Sequence, residues 1–167
     1  MLLKPKIKLQ KITDITLDIL KQKGIDSLLL DVDNTMSTHH GTVLTDGLRD
    51  WIKKMQDGGI KLCVLSNSKE FRVGPFAKRI GLEHISLGLK PLPFGYLRGV
   101  KKLGSKRKNT AIVGDQIFTD ILGGNAVGVQ TILLTPIKLE DGWSFKLRRR
   151  LEKVVFKLYR IENYKGE

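Results

Sequence analysis

The chain has few of the features on which secreted and membrane-spanning proteins depend. It contains a single cysteine among 167 residues, so no disulfide can form within it, and we expect a reducing, cytoplasmic environment. Cys63 lies in the apolar segment 60–65 and is expected to be a buried strand residue. No apolar run approaches the roughly 20 residues that cross a bilayer, and the charged first residues do not resemble a secretory signal. A soluble protein, or one bound at a membrane surface, is predicted.

Acidic residues are also scarce. The chain has 17 Asp and Glu against 30 Lys and Arg, which gives a net charge of +13. A positive field of this size attracts nucleic acid, anionic lipid or a phosphorylated substrate, and does not choose among them. The length fits one domain, and there is no internal repeat, low-complexity tract or long linker.

Strand-like and helix-like segments alternate along the chain. Helices are predicted at 16–23, 45–56, 69–80, 93–103 and 117–127, and strands at 25–32, 60–65, 84–87, 110–113 and 129–134. Alternation of this kind, with apolar and β-branched strands, predicts a parallel sheet covered by helices on both faces.

Polar residues follow the ends of the predicted strands. Asp31 and Asp33 come after the apolar run 28–30, and residues two apart in an extended chain face the same way. Such close carboxylates are costly unless a cation or a proton neutralises them. Ser66, Lys90 and Asp115 lie at or just beyond three other strands. Ligands bind at the carboxyl ends of such strands, so we expect one metal site with a nucleophile and a proton carrier.

The segments 31–35 and 114–120, with Ser66 and Lys90 between them, resemble the four motifs of the haloacid dehalogenase (HAD) superfamily in order and spacing. Segments 12–16, 90–91 and 114–125 further resemble the YqeG family of subclass IIIA phosphatases, which is similar to phosphatidylglycerophosphate phosphatases. The resemblance implies an α/β, three-layer Rossmann-like fold with a mostly parallel five-stranded sheet. We divide this single phosphatase domain into a basic arm and short helix (1–24), a catalytic core (25–136) and a basic extension (137–167).

The resemblance also implies the chemistry of the site. Asp31 would attack phosphorus and become a phosphoaspartate. Asp33 would protonate the leaving oxygen, deprotonate the hydrolytic water and ligate the metal through its backbone carbonyl. Asp31 and Asp115 would supply carboxylate oxygens to Mg²⁺, although Mn²⁺ accepts the same ligands.

Other residues would support these groups. By resemblance, Ser66 and Lys90 would bind the phosphoryl group, as would Asn67 with the amides at the start of the following helix. Asp120 would act indirectly, by contacting a metal-bound water or Lys90, and Thr35 would hold Asp33 by a hydrogen bond. Simpler interpretations remain for two of them, since Ser66 could cap a helix and Asp120 could favour a helix's first turn.

The histidine pair 39–40 follows the first motif and could suggest a metal or acid–base role. We interpret it instead as part of a mobile polar loop. The segments 36–44 and 88–92 are too short to hold the cap domain that many HAD enzymes carry. An open site of this kind suits a large substrate, such as a lipid headgroup or a macromolecule.

The segment 143–161 carries a basic helical pattern. Apolar residues recur at helical spacing in one stripe, at Leu147, Leu151, Val154, Leu158 and Ile161. A basic amphipathic helix can lie in an anionic membrane interface, where each Lys or Arg gains about 1 kcal/mol. Alternatively, the stripe packs on the domain and the charges face water.

The motifs predict an Mg²⁺-dependent phosphatase, and the resemblance implies phosphatidylglycerophosphate as its substrate. Contact at the inner face of the membrane is expected if the segment 143–161 lies in the interface. One alternative keeps the chemistry and changes the substrate to a soluble metabolite or a phosphoprotein. Another is a basic RNA- or ribosome-associated binding protein, suggested by the charge clusters 101–102 and 106–108, although no RNA-binding motif is visible.

Overall fold

The computed structural model describes residues 1–38, 43–137 and 143–159, with side chains from 150 onward in the last segment. Six strands form one sheet in the order β1-β6-β5-β2-β3-β4, and every neighbouring pair is parallel. The strands are β1 (Ile7–Leu9), β2 (Ser27–Leu30), β3 (Lys61–Leu65), β4 (Glu83–Ile85), β5 (Thr110–Gly114) and β6 (Gln130–Leu134). The helices are α1 (Leu17–Gln22), α2 (Leu48–Asp57), α3 (Glu70–Ile80), α4 (Pro93–Lys102), α5 (Leu122–Val127) and α6 (Trp143–Leu158).

The central strand β2 determines where the site lies. All four of its residues are buried, as a strand covered by helices on both faces requires. The chain builds β3 and β4 on one side of β2, then crosses to place β5 on the other side. The strand order reverses between β2 and β5, and a ligand crevice is expected at the carboxyl ends of these two strands.

The core lies in two layers, one on each face of the sheet. Leu28 and Leu30 point into the layer that contains Trp51 of α2 and Phe76 of α3. Leu29 points the other way, as alternation along a strand requires, into the layer made with α4 and α5. Cys63, in that second layer, is fully buried on β3, which confirms the sequence-based expectation.

The predicted parallel α/β sheet is confirmed, but the count of five strands was wrong. The sixth strand is β1, whose residues pair with Ile132 to Leu134 of β6 at one edge of the sheet. Only three residues long and interleaved with lysines, β1 has too short an alternating pattern to be distinguished from an extended arm.

One predicted helix start is confirmed, and two others differ from the prediction. Thr16 caps α1 as predicted, since its hydroxyl accepts a hydrogen bond from the Ile19 amide at 3.3 Å. The predicted cap of α2 at Thr45 was wrong: α2 begins at Leu48, after Gly47 turns the chain with a φ of +74°. The predicted helix 117–127 is divided into a π-helical turn (Ile117–Ile121) and α5.

The helix α6 lies on the domain, but not through the predicted stripe. Val155 packs against Ile117, Ile121 and Leu133. The stripe residues Leu151, Val154 and Leu158 are exposed, because the packing side is displaced around the helix. The side chain of Leu147 and all of Ile161 lie outside the described residues.

The described residues after β2 and β4 add no further domain over the carboxyl edge of the sheet, in line with the expected absence of a cap. Among the described helices, none combines the length and the apolar character that crossing a bilayer would require.

A close backbone contact joins α4 to the loop before it. A Cβ atom on Gly95 would lie 2.3 Å from the carbonyl oxygen of Gly88, and backbone cannot yield as a side chain can. We expect Gly95→Ala to lower the free energy of unfolding by about 1–3 kcal/mol, the usual cost of overpacking, as measured by denaturant titration.

Gly74→Ala in α3 is the matched control. There the added Cβ would meet side chains and no backbone: it would lie 2.7 Å from Oε1 of Glu70 and 3.7 Å from Nε2 of His84. A neutral or slightly stabilising effect is expected, because alanine favours a helix over glycine by about 1 kcal/mol. Equal destabilisation by the two substitutions would contradict the proposed backbone contact.

Candidate active site

A buried lysine lies at the centre of the site. The Lys90 ammonium donates to Oδ1 of Asp31 at 2.7 Å and to Oδ1 of Asp120 at 2.6 Å. All three side chains are at least nine-tenths buried. Of the two roles expected for Asp120, the structure therefore shows the contact with Lys90.

Burial and charge act together on these groups. Burial disfavours the carboxylate and raises the pKa of Asp31 to about 7, with Lys90 opposing the shift and Asp120 adding to it. Burial alone would lower the pKa of Lys90, but the charges of Asp120 and Asp31 outweigh it and raise that pKa. Lys90 is therefore a fixed positive charge.

Three carboxylates meet beside this lysine. Asp31, Asp115 and Asp120 are buried, and each offers an oxygen within 4.8 Å of the others'. Two come from the predicted metal set, while Asp120 joins them from the π-helical turn. Hard oxygen donors around one point are what Mg²⁺ takes as ligands, and one ammonium cannot balance three carboxylates. The donor set fits a divalent cation.

The close packing of Asp120 requires glycine at the end of β5. A Cβ on Gly114 would lie 2.1 Å from Oδ2 of Asp120. The same oxygen accepts a hydrogen bond from the Gln116 amide at 3.2 Å. The turn after β5 thus fixes the carboxylate that Lys90 contacts.

The loop that carries Lys90 is held by the segment after β3. The Asn67 amide donates to the Lys90 carbonyl at 3.0 Å and accepts from the Lys90 amide at 2.7 Å. The Gly88 amide donates to the Ser66 carbonyl at 2.8 Å. The side chain of Asn67, predicted to bind phosphate, is thus placed on the backbone of Lys90.

Ser66 is buried, and its hydroxyl accepts a hydrogen bond from the Ser68 amide at 3.1 Å. This contact lies in the loop after β3 and is not a helix cap, because α3 begins at Glu70 with Lys69 as its N-cap, so the simpler interpretation of Ser66 was wrong. The contact leaves the hydroxyl hydrogen available, because a serine oxygen can accept and donate at once. Ser66 also lines a cavity together with Asp33.

Asp33 lies at the edge of the buried cluster, paired with an arginine that the motifs did not indicate. Arg72 of α3 forms an ion pair with Asp33 and donates to the Ser68 hydroxyl at 2.9 Å. A basic residue in the first turn of a helix opposes the helix dipole, and this was the available signal for Arg72.

Of two expectations near the first motif, the structure tests only the one for Thr35. The Thr35 hydroxyl is buried and makes no hydrogen bond within the described part of the chain, so its predicted bond to Asp33 was wrong. The histidine pair 39–40 lies outside the described residues.

Two further buried groups support the turn after β5. Glu152 of α6 accepts a hydrogen bond from the Ile117 amide at 3.2 Å. The Tyr96 hydroxyl of α4 donates to the Thr119 carbonyl at 2.7 Å. Both contacts reach the turn between Asp115 and Asp120, and no local sequence pattern indicates them.

The comparisons with known proteins agree with this geometry. The model of the haloacid dehalogenase-like hydrolases matches residues 6–128, and the chain belongs to this family. It is 33% identical over 144 residues to the probable phosphatase YqeG of Bacillus subtilis (strain 168), covering 86% of this chain and 84% of that protein. Family and relative together define the chain as a HAD-type phosphatase.

Weaker matches extend the comparison. Phosphatidylglycerophosphate phosphatase 1 of Arabidopsis thaliana is 27% identical over 164 residues, covering 92% of this chain but 47% of that protein. A crystal structure of an uncharacterized protein from Listeria monocytogenes serotype 4b shares the fold with a TM-score of 0.58. It is 16% identical, and the match covers 82% of this chain and all of that one.

The raised pKa of Asp31 predicts a stability that depends on pH. The folded protein keeps this proton up to about pH 7, whereas the unfolded chain releases it near the ordinary value of 3.8. The unfolded state therefore binds fewer protons in this window, and stability falls as the pH rises from about 4 to 7. In EDTA, we expect Asp31→Asn to become more stable than the wild type across that window, by a few kcal/mol.

Denaturant titrations of both proteins between pH 4 and 8 measure this difference. Since every other titrating group is shared, the difference curve reports on Asp31 together with its coupling to Lys90 and Asp120. A difference that stays constant with pH would show that Asp31 ionises normally in the folded protein.

Proposed function

We propose that the protein is a Mg²⁺-dependent phosphatidylglycerophosphate phosphatase that acts through an Asp31 phosphoenzyme at an anionic membrane surface. Two lines of support concern different parts of this statement. The buried cluster around Lys90 supports the chemistry. An exposed apolar surface beside the same lysine carries the inference of a lipid substrate.

The first step is displacement at phosphorus. A carboxylate oxygen of Asp31 forms a bond to phosphorus as the bond from phosphorus to the ester oxygen breaks. Asp33 gives a proton to that leaving oxygen, and the alcohol departs. Lys90 and Ser66 offset the charge on the phosphoryl oxygens while this happens.

The second step returns the enzyme to its starting state. Asp33, now a carboxylate, takes a proton from water as the water oxygen bonds to phosphorus. The bond between phosphorus and Asp31 breaks, which releases inorganic phosphate. The position of Asp33, at the edge of the cluster and partly exposed, suits a group that must meet both the leaving alcohol and water.

Asp31, Asp115 and Asp120 would hold the cation, with the backbone carbonyl of Asp33 as a further oxygen ligand. Mg²⁺ bound there would offset the negative charge that gathers between the phosphoryl group and the carboxylates. Asp120 would keep its bond to Lys90 and orient it.

The exposed apolar residues that flank Lys90 along the chain are Leu87, Leu89, Leu92 and Phe94, which we call the apolar rim. Each is between 51% and 59% exposed. Leu87 and Leu89 also have φ angles of +47° and +55°, a conformation that costs a side-chain-bearing residue about 1–2 kcal/mol. Large exposed apolar side chains in a strained loop beside a catalytic lysine suggest that the rim meets an apolar partner.

A phospholipid surface matches both the rim and the charge of the protein. Leucine and phenylalanine can enter the headgroup boundary, while a net charge of +13 favours anionic lipid. With no cap among the described residues, the scissile phosphate of a lipid headgroup could reach Asp31 from the bilayer. The relative from Arabidopsis thaliana is named for this class of substrate.

The outer side of α6 offers a second contact with the same surface. Leu151, Val154 and Leu158 face solvent there, and the exposed Lys153 and Lys157 lie beside them. This is the basic amphipathic arrangement expected of an interfacial helix.

Turnover tests the function directly. Phosphate release from phosphatidylglycerophosphate in mixed micelles should require Mg²⁺, stop in EDTA and fall by at least about a thousandfold in Asp31→Asn, which lacks the nucleophile. An aryl phosphate is the parallel substrate. Turnover of that compound alone would favour a soluble metabolite or phosphoprotein, and salt-dependent RNA binding that survives Asp31→Asn would favour the binding-protein alternative.

Vesicle binding tests the rim. Replacing Leu92 and Phe94 together by serine should weaken binding to phosphatidylglycerol vesicles at least about tenfold, because two large side chains no longer enter the interface. Serine is tolerated at position 92, which precedes the first turn of α4. Sedimentation with vesicles measures the affinity, and thermal unfolding checks the fold.

The paired substitution Leu151→Ser and Val154→Ser is the comparison on α6. It removes apolar side chains of similar exposure from the other surface. Loss of binding in this variant, with none in the rim variant, would place the membrane contact on α6 and overturn the role of the rim.

A further inference from the structure

The cavity at Ser66 and Asp33 extends away from the active site along α3, and its lining there is largely apolar. It has a volume of about 210 Å³ and begins at Asp33 and Ser66. Its far wall is made by α3, with the apolar residues Val73 and Phe76 between two arginines. Beyond Asp33 and Ser66, the residues that line the cavity have no part in the steps described above.

The two arginines are Arg72 and Arg79. They lie seven residues apart on α3, which is two helical turns and about 10 Å along its axis. Both line the cavity, so they project toward the same side of the helix. Arg72 is at the end nearest Asp33, and Arg79 is at the exposed end.

Guanidinium groups suit a second phosphate. Arg72 uses one N–H group for Asp33 and one for Ser68, out of five donors in a planar fork. Such a fork matches the oxygens of a phosphate better than an ammonium does. The walls at Val73 and Phe76 would contact the carbon chain between two phosphate groups.

We propose that this cavity is a second anion subsite, in which Arg72 and Arg79 bind a phosphodiester group one glycerol unit away from the phosphoryl group that Asp31 attacks. The proposal rests on the proposed function, since it assumes that a phosphomonoester occupies the site at Asp31. It adds a selectivity: the enzyme prefers a phosphomonoester whose alcohol carries a further anionic group. Membrane lipid is not required for this recognition.

The neighbouring Lys78 provides a matched control. It lies one residue before Arg79 on α3 and carries the same charge, but it lines a different cavity with Glu83 and His84. A general loss of positive charge from α3 would affect both positions. A specific subsite would respond only to Arg79.

Binding to the full chain with Asp31→Asn tests the subsite without turnover. The two ligands are the deacylated headgroup glycerophosphoglycerophosphate, which contains the phosphodiester, and glycerol 3-phosphate, which lacks it. By calorimetry in Mg²⁺, the first should bind at least about tenfold more tightly. Adding Arg79→Gln should remove most of this preference, because it should weaken the binding of the diester ligand at least about tenfold more than the binding of glycerol 3-phosphate. Lys78→Gln should preserve the preference.

The outcomes separate the subsite from the function. The subsite would be overturned if the Arg79→Gln and Lys78→Gln proteins kept an equal preference for the diester ligand, or if the Asp31→Asn protein showed no such preference. Either result would hold even if the wild-type enzyme hydrolyses phosphatidylglycerophosphate. Loss of the preference in Arg79→Gln would support the subsite even if that lipid is not hydrolysed. In that case the second anion belongs to a soluble substrate.

Discussion

The site depends on one buried lysine placed between two carboxylates. A buried ion pair contributes only when its geometry is good, and removing one partner leaves a charge that the interior cannot solvate. Much of the surrounding structure serves this geometry. The Asn67 side chain hydrogen-bonds both the amide and the carbonyl of Lys90. The absence of a side chain at Gly114 leaves room for Asp120. Glu152 and Tyr96 then hold the turn from which Asp120 projects.

Lys90 balances only part of the charge around it. Asp31, Asp115 and Asp120 together carry more negative charge than one ammonium balances. Burial, with the charge of Asp120 adding to it, raises the pKa of Asp31. Without a metal, the protein can hold this excess of negative charge because a proton can neutralise Asp31. With a divalent cation bound, the same surplus becomes the ligand set, and the nucleophile is ionised where it is needed. The cost in stability and the capacity for catalysis thus have one origin.

Sequence reasoning found the residues that follow buried strands and missed those that act across the fold. Asp31, Ser66 and Asp115 were predictable because an apolar run precedes each and parallel strands end at one edge. Arg72, Tyr96 and Glu152 reach the site across 23 to 39 residues of chain, and nothing in their local sequence specifies a partner. The helix α6 also shows that local sequence does not specify contacts made across the fold. Its periodicity predicted a helix, but which side packs depends on the surface formed by Ile117 and Leu133, which periodicity does not describe.

Calorimetric titration of Mg²⁺ into metal-free protein tests the central claim most directly, that the carboxylate surplus around Lys90 is a cation site. The wild type should bind about one ion per chain, and Asp115→Asn should bind it at least about tenfold more weakly, since it removes a carboxylate ligand while the pairs of Lys90 with Asp31 and Asp120 remain. Equal affinity in the two proteins, or no binding by the wild type, would contradict the account.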